Sequence, residues 1–254
     1  MSAYTDTCQI FTPSQQDSLR RGGVILRDCL KHVSALVKPG ISTLEIDTAA
    51  EDFIISCGGI PAFKGYHGFP GTLCTSVNDQ VVHGIPSAGP LLKNGDIVSL
   101  DGGVILDGLY TDSCVTVAVG EIDPKTKVFL DYVSKTLENV IVEIVKAGAH
   151  VGDISSYIEK ALRRGGFGVV RTLTGHGLGD TLHQFPDVPN VGKEGTGPVL
   201  PAGTMIAIEP IATMGMPEVY TAIDNWTVLT KDKSLACHFE HSVLITEQGC
   251  EIIV

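Results

Sequence analysis

The chain has 254 residues, 43% of them hydrophobic, and its 29 acidic residues outnumber 18 basic ones. This length allows a large buried core, whereas the negative charge and the lack of a basic cluster exclude the electrostatic footprint of a nucleic-acid-binding protein. The sequence also lacks a membrane-length apolar segment, a signal peptide and any CxxC pair among its 7 cysteines. We therefore expect a cytoplasmic protein with reduced thiols and no membrane partner.

The first predicted element is a long helix that starts near Ser14 and stops at Lys38-Pro39-Gly40, because a proline followed by glycine cannot continue a helix. The next four-residue motif, Ser42-Thr43-Leu44-Glu45, has the form of a capping box, in which the first and last side chains satisfy free amide donors. This motif predicts a second helix, which ends at Gly58-Gly59.

The second part of the chain repeats this order of elements. Residues 127–148 predict a third helix, and a fourth helix is expected to be capped by Asp153 and closed by Gly165-Gly166. Strands are predicted at TLCTSVN, DIVSLDGGVI, LYTDSCVTVAVG, MIAIEPIA, NWTVLT and FEHSVLIT. Helices grouped apart from mainly antiparallel strands indicate an α+β architecture.

A weak internal repeat supports the same organisation. The run from Val37 aligns with the run from Val145, and at the same offset Leu92–Asp101 overlays Leu200–Glu209. Either match alone could be coincidence, but two matches at one offset favour a duplication. A pseudo-twofold fold would then bring together Asp101 and Glu209, the carboxylates at the ends of these two segments. We expect one domain over residues 1–254, with repeat halves of roughly 14–120 and 121–254.

The spacing of Asp101 and Asp112 places both side chains on one face of a predicted hairpin. Asp107-Gly108 is a favoured two-residue turn, and counting outward from it pairs Asp101 with Cys114. The two aspartates are then diagonal neighbours about 7 Å apart at Cβ, within reach of two metal ions separated by about 3.5–4 Å. The alternative is a pair of solvated aspartates on an open sheet face.

Three further metal-binding side chains lie downstream. His176 is flanked by glycines, which we interpret as a flexible loop able to approach an ion; Glu209 ends an apolar run before Pro210, and Glu240 opens another. A core histidine and edge-strand charges are the alternatives. An unpaired carboxylate buried in such runs would cost several kcal/mol, so positive charge is expected among them. His241 should face the opposite side and be structural.

Five segments in combination resemble the type I methionine aminopeptidases. They are CTSVNDQVVHGIP from Cys74, SLDGGVILDGLYTD from Ser99, TGHGLGDTLH from Thr174, IEP from Ile208 and FEHSVLIT from Phe239. The resemblance covers nearly the whole chain and implies the duplicated "pita-bread" fold with one catalytic domain. His183 and Glu209 are close in sequence where type II enzymes carry a long insertion, which favours type I. The chain looks like the short bacterial-style form, since we expect no N-terminal zinc-binding extension of the kind that eukaryotic type I enzymes carry.

This resemblance implies hydrolysis of the first peptide bond by metal-activated water, removing N-terminal methionine from nascent proteins and peptides with a small second residue. Two divalent ions, of Mn, Fe, Co or Zn, are expected. The resemblance implies that Asp101 chelates one ion, that His176 and Glu209 bind the other, and that Asp112 and Glu240 bridge them. It gives Glu209 a second role as proton shuttle, and it makes His83 and His183 catalytic residues that contact substrate.

The methionine pocket of the family is matched by Phe63, Tyr66, Phe69, Cys74, Leu182 and Trp226. These are apolar or polarisable side chains suited to a thioether, although packing in the core is the alternative for each. Five positions depart from the bacterial pattern: Phe63 replaces Cys, Phe69 replaces Tyr, Leu182 replaces Phe, and Asp180-Thr181 replaces an Arg-containing pair. These departures concern the shape of the pocket more than the type of reaction.

Two other functions stay open at this point. One is a proline-specific aminopeptidase or dipeptidase of the same fold, although such enzymes usually carry an additional N-terminal domain. The other is a non-catalytic pita-bread module that binds a protein or nucleic acid. We expect a monomer, and the sequence does not decide whether the protein docks at the ribosome.

Overall fold

The computed structural model describes residues 7–254, in which four α-helices pack against β-sheets. The helices are α1 (Pro13–Leu36), α2 (Thr43–Ser56), α3 (Pro124–Glu143) and α4 (Val151–Arg164). The strands are β1 (Ile60–Pro61), β2 (Leu73–Val77), β3 (Gln80–Val82), β4 (Ile97–Leu106), β5 (Leu109–Ala118), β6 (Gly168–Val169), β7 (Thr174–Gly177), β8 (Gln184–Pro189), β9 (Met205–Ile208), β10 (Ile211–Thr213), β11 (Val219–Thr221), β12 (Val228–Thr230), β13 (Ala236–His238), β14 (Glu240–Thr246) and β15 (Gly249–Ile252).

The first two helices begin where the sequence predicts, and local capping explains why. Thr12 and Gln15 form a reciprocal capping box at the start of α1, with a proline in its first turn. The predicted capping box of α2 is confirmed, because the Ser42 side chain accepts from the backbone N–H of Glu45 while the Glu45 carboxylate accepts from that of Ser42. Each box satisfies amide groups that the helix itself leaves unpaired.

The second helix pair differs from the prediction in its boundaries. α3 begins with Pro124, behind a side-chain cap from Asp123, and ends at Glu143 rather than continuing to residue 148. The predicted cap of α4 was wrong, since His150 is the capping residue and Asp153 lies in the first helical turn. The Asp153 carboxylate accepts from the backbone N–H of His150 at 2.8 Å. Asp153 therefore completes the cap from inside the helix.

The hairpin of β4 and β5 has the register that its turn predicts. Asp107 and Gly108 both adopt positive φ, at 52° and 80°, as the two central residues of a type I′ turn require. Leu106 pairs with Leu109, and further out Asp101 pairs with Cys114. The two strands pair along their whole length, so the predicted positions of the hairpin aspartates are confirmed.

One large sheet joins the two parts of the chain. Its order is β1-β4-β5-β14-β9-β7-β8, with β2 also paired to β4 and β15 to β14. β14 runs antiparallel to both β5 and β9, and it aligns Glu240 with Cys114 and His241 with Ile208. The predicted strand MIAIEPIA is interrupted at Glu209-Pro210, because β9 belongs to this sheet and β10 to a separate three-stranded sheet. β14 therefore brings the early hairpin and β9 side by side.

The helices cover the sheet with two apolar cores. Leu26 of α1 and Ile54 of α2 pack in a cluster with Leu100 of β4, while Phe129 of α3 and Ile158 of α4 belong to a second cluster with residues of β9 and β14. This arrangement of helices and mainly antiparallel strands confirms the α+β prediction. Within residues 7–254, no helix combines the length and apolar content needed to cross a membrane.

Candidate metal centre

Two carboxylates of the β4–β5 hairpin form one side of the candidate site. Asp101 and Asp112 are 7% and 3% exposed, because the hairpin face that carries them is covered by neighbouring strands. Burial raises the pKa of Asp101 to about 7. Burial, followed by the charge of Asp101, also raises the pKa of Asp112 well above its usual range. Both side chains therefore resist ionisation unless positive charge is supplied.

Two glutamates from the later strands complete the acidic cluster. Glu209 follows β9 directly, and Pro210 prevents the strand from continuing in the same sheet. Glu240 opens β14 beside Cys114 and is 2% exposed. Burial raises the pKa of Glu240, and the charges of Asp112 and Glu209 raise it further. Because β14 lies between β5 and β9 in the sheet, it brings carboxylates from distant parts of the chain together.

His176 lies on β7, so our interpretation of its glycine-flanked segment as a flexible loop was wrong. The glycines serve close strand packing: a Cβ on Gly175 would overlap the carbonyl oxygen of Ala207, and one on Gly177 would overlap that of Phe185. The His176 Nδ1 lies 3.0 Å from the carbonyl oxygen of Gly177. Because a carbonyl only accepts, Nδ1 carries the hydrogen and Nε2 keeps its lone pair for a metal.

The distances around His176 fit a shared metal ion. Its Nε2 lies 3.8 Å from Asp112 Oδ2 and 3.9 Å from Glu209 Oε1. Donor atoms that each bind an ion at about 2.1 Å can be at most about 4.2 Å apart. Burial lowers the pKa of His176 to about 3, which keeps the imidazole neutral and able to ligate at physiological pH. Glu240 belongs to the same neighbourhood, since Asp112, His176 and Glu240 offer donor atoms that all lie within 4.8 Å of one another.

The carboxylate cluster also contains buried oxygen atoms without hydrogen-bond partners in the described part of the chain, as expected of a site for divalent cations. Asp101 Oδ1, Asp112 Oδ1 and Glu240 Oε1 are buried and, among the described residues, accept no hydrogen bond. No lysine or arginine of residues 7–254 lines the cavity around them. Buried carboxylates without partners cost several kcal/mol each. Divalent cations are the compensation that this mixture of carboxylate and imidazole donors suits.

A second imidazole, that of His238, enters the cluster and was missed by the sequence reasoning. It is 3% exposed at the end of β13, and its Nε2 lies 3.4 Å from Glu209 Oε2 and 3.7 Å from Glu240 Oε2. Burial alone would lower the pKa of His238, but contact with Glu209 raises it. The available signal was the spacing His-x-Glu, since residues two apart in an extended chain face the same side.

The metal-ligand candidates lie at the head of a cavity of about 270 Å³. Its walls contain all the pocket residues predicted from the sequence, namely Phe63, Tyr66, Phe69, Cys74, Leu182 and Trp226. Phe69 and Trp226 meet edge to face, with ring centroids 5.1 Å apart. The cavity is therefore polar at one end and aromatic along its sides, as in sites for one apolar side chain.

His83 and His183 also line this cavity. His83 follows β3 in the left-handed region, with φ of 58°, an uncommon conformation for a non-glycine residue that is often found at functional sites. Burial lowers the pKa of His83 to about 4, and desolvation with the nearby His67 lowers that of His183. His183 Nδ1 lies 2.9 Å from the Tyr66 hydroxyl. His241 instead contacts the Val254 carbonyl oxygen through Nδ1.

The chain resembles known proteins along nearly its whole length. The model of metallopeptidase family M24 matches residues 17–247. A methionine aminopeptidase of Clostridium acetobutylicum is 42% identical, over 92% of this chain and 94% of that protein. Methionine aminopeptidase 1 of Bacillus subtilis is also 42% identical, over 95% and 97%. The crystal structure of methionine aminopeptidase from Thermotoga maritima superposes with a TM-score of 0.95 at 40% identity, covering 97% of this chain and 99% of that one.

Proposed function

Because the chain belongs to the methionine aminopeptidases of metallopeptidase family M24, we propose that it removes the N-terminal methionine from polypeptides. It has the pita-bread fold of these relatives. The observation that carries the proposal is the cavity itself, which joins buried, unsatisfied carboxylates at one end to an aromatic wall at the other. The first end suits metal-assisted hydrolysis, and the second suits an unbranched apolar side chain.

Membership of a metallopeptidase family implies divalent metal ions, and we infer two per chain. His176 and Glu209 would hold one ion, Asp101 the other, and Asp112 and Glu240 both. The chemistry that such ions supply when bound is Lewis acidity, which lowers the pKa of water toward about 7 and polarises the scissile carbonyl. Mn, Fe, Co and Zn all suit this mixed set of donors.

The protein side chains would move and hold the protons of the reaction. Glu209 would accept a proton from the attacking water at a carboxylate oxygen and pass it to the leaving amine. His183 would donate from Nε2 to the oxyanion, because the Tyr66 hydroxyl can donate to its Nδ1. His83, held neutral by burial, would hydrogen-bond the scissile amide nitrogen.

The aromatic wall would select methionine at the first position. Phe63, Phe69 and Trp226 can contact a thioether through their ring faces and edges, a favourable arrangement for sulfur. We infer that the second residue of the substrate must be small, because a larger one would clash at the mouth of the cavity. We infer that the substrates are nascent polypeptides and that the protein acts in the cytoplasm as a monomer. A light-scattering mass that corresponds to a dimer would contradict the monomeric state.

Peptide cleavage after anaerobic reconstitution with each metal tests the proposed function. Met-Ala-Ser should release free methionine, Met-Lys peptides should resist, and a dipeptide ending in proline should stay intact. Cleavage of the proline dipeptide alone would instead identify a prolidase-type enzyme. Metal binding without cleavage of any peptide would favour the non-catalytic module.

A further inference from the structure

His238 has the position of a ligand rather than of a packed core residue. It lies two residues before Glu240, is 3% exposed, and lines the same cavity as the proposed metal ligands. Neither of its ring nitrogens has a hydrogen-bond partner among the described residues. A buried imidazole with both nitrogens unsatisfied is destabilising, so its retention among carboxylates calls for a partner of another kind.

The distances from His238 discriminate between two kinds of contact. Its Nε2 lies 3.4 Å from Glu209 Oε2 and 3.7 Å from Glu240 Oε2, longer than the usual range of about 2.7–3.2 Å for an N–H···O hydrogen bond. Two donors that bind one ion at about 2.1 Å in tetrahedral geometry are about 3.4 Å apart. These separations are also shorter than the 3.8 and 3.9 Å from His176 to its carboxylate neighbours.

The backbone of His238 is fixed on both sides by one threonine. The Thr116 Oγ1 accepts from the backbone N–H of His238 at 3.0 Å and donates to its carbonyl oxygen at 2.7 Å. Cys114 Sγ lies 3.4 Å from the same carbonyl oxygen. Strand pairing with Ile211 of β10 holds the residue from the other direction. A backbone held this firmly fixes the point from which the imidazole extends, which reduces the reorganisation needed to bind an ion.

We propose that His238 is an additional ligand of the metal centre, which contributes its Nε2 beside Glu209 and Glu240. This inference rests on the proposed metal site and extends it. A second imidazole makes the donor set softer than carboxylates with His176 alone. The centre should therefore favour zinc, cobalt or iron over manganese more strongly than it would without His238.

Metal titration of three variants tests the role of His238. His238→Gln keeps a polar side chain that can hydrogen-bond Glu209 but removes the imidazole, His238→Ala removes both, and His32→Gln removes an exposed imidazole of α1 as the control. Calorimetry and metal analysis after competition between zinc and manganese should show zinc affinity reduced at least about tenfold in both His238 variants. The preference for zinc over manganese should fall with it, while the control matches the unsubstituted protein.

Nitrogen NMR of the unsubstituted protein gives a readout that does not depend on variants folding well. With ¹⁵N-labelled histidine and bound zinc, the Nε2 resonance of His238 should shift to the position of a metal-bound nitrogen, as should that of His176. A zinc-loaded protein in which His238 Nε2 is unshifted would overturn the inference, as would unchanged zinc affinity in His238→Gln with loss only in His238→Ala. If the unsubstituted protein binds no metal, the proposed function itself fails.

Discussion

At the scale of single residues, the acidic cluster is unstable by itself. Burial raises the pKa of Asp101 to about 7 and that of Glu240 well above its usual range, and Asp112 behaves in the same way. Each shift means that the folded chain prefers the neutral acid while the proposed chemistry needs the anion. Divalent cations reverse this preference, because their charge stabilises the ionised form.

Glu209→Gln should preserve the fold and lower kcat for methionine release by about 10²–10⁴-fold, since the amide cannot accept and return the proton. The measurement is steady-state cleavage of Met-Ala-Ser, with metal content and Tm determined on the same sample. Glu247→Gln, in the exposed turn after β14, is the matched control and should leave kcat unchanged. An unchanged kcat in Glu209→Gln would remove the residue from the mechanism.

His176→Ala should weaken metal retention at least about tenfold, because the Nε2 lone pair beside Asp112 and Glu209 is lost. Metal analysis after dialysis against a weak chelator measures this directly. His32→Ala, which removes an imidazole far from the cavity, should retain metal like the unsubstituted protein. Full occupancy in His176→Ala would show that the imidazole is not a ligand.

The spacing of residues in the sequence predicted where most side chains of the candidate site lie, but it did not lead us to His238. Asp101 and Asp112 could be placed on one face because a two-residue turn fixes the register between them. His238 was overlooked because the predicted strand FEHSVLIT begins at Phe239, which left His238 just outside it and its spacing from Glu240 unused. The metal and catalytic roles of the residues around the cavity stay predictions that the experiments above address.

At the scale of secondary structure elements, local signals were read more accurately than packing. Capping boxes and the Asp107-Gly108 turn depend on neighbouring residues, and these predictions held. β7 was mistaken for a loop because its glycines are explained by the backbones of other strands, that of β9 for Gly175 and that of β8 for Gly177. A single sequence shows that glycine is present, but not which distant carbonyl group excludes a side chain.

Gly175→Ala should destabilise the protein by about 1–3 kcal/mol, because the new methyl group must displace the backbone of β9. The shift should also move His176 and reduce metal affinity. Denaturant unfolding with and without zinc measures both effects. The control is Gly249→Ala in β15, where an added Cβ meets nothing within 4 Å; equal stability loss in the two variants would contradict the packing role.

At the scale of the whole molecule, the site depends on both apolar cores. Core residues of α1 and α2 support β4, and those of α3 and α4 support β9 and β14. The two helix pairs are arranged in the order that the predicted repeat requires, but the duplication and its boundaries stay predictions. Metal ions held between the β4–β5 hairpin, β7, β9 and β14 would stabilise the whole fold and not only the cavity.

Metal-induced stabilisation should be larger at about pH 7.5 than at about pH 5.5. A carboxyl with a raised folded pKa stabilises the metal-free protein below its unfolded pKa, near 4, and this contribution is lost as pH rises through about 7. His176, with its pKa lowered to about 3, stays neutral throughout. Protons therefore compete with metal at the lower pH, both at the carboxylates and at His238, whose pKa is raised by contact with Glu209 in spite of burial.

Thermal unfolding with and without excess zinc at the two pH values measures this difference. Metal at 100 to 1,000 times its Kd should add about 3–4 kcal/mol at the higher pH. In Asp101→Asn, zinc should raise Tm only slightly at either pH, because the variant lacks one of the proposed metal ligands. An equal rise in Tm at both pH values in the unsubstituted protein would show that the carboxyl protons do not compete with the ions.

The central position of β14 has a consequence for biosynthesis. β14 lies late in the chain yet pairs with both β5 and β9 in the middle of the sheet. While a ribosome is still making the preceding residues, β5 and β9 have no partner between them, and unpaired strand edges promote association with other chains. Chains stalled before β14 should therefore aggregate readily, and hydrolytic activity should emerge only after β14 has left the ribosome.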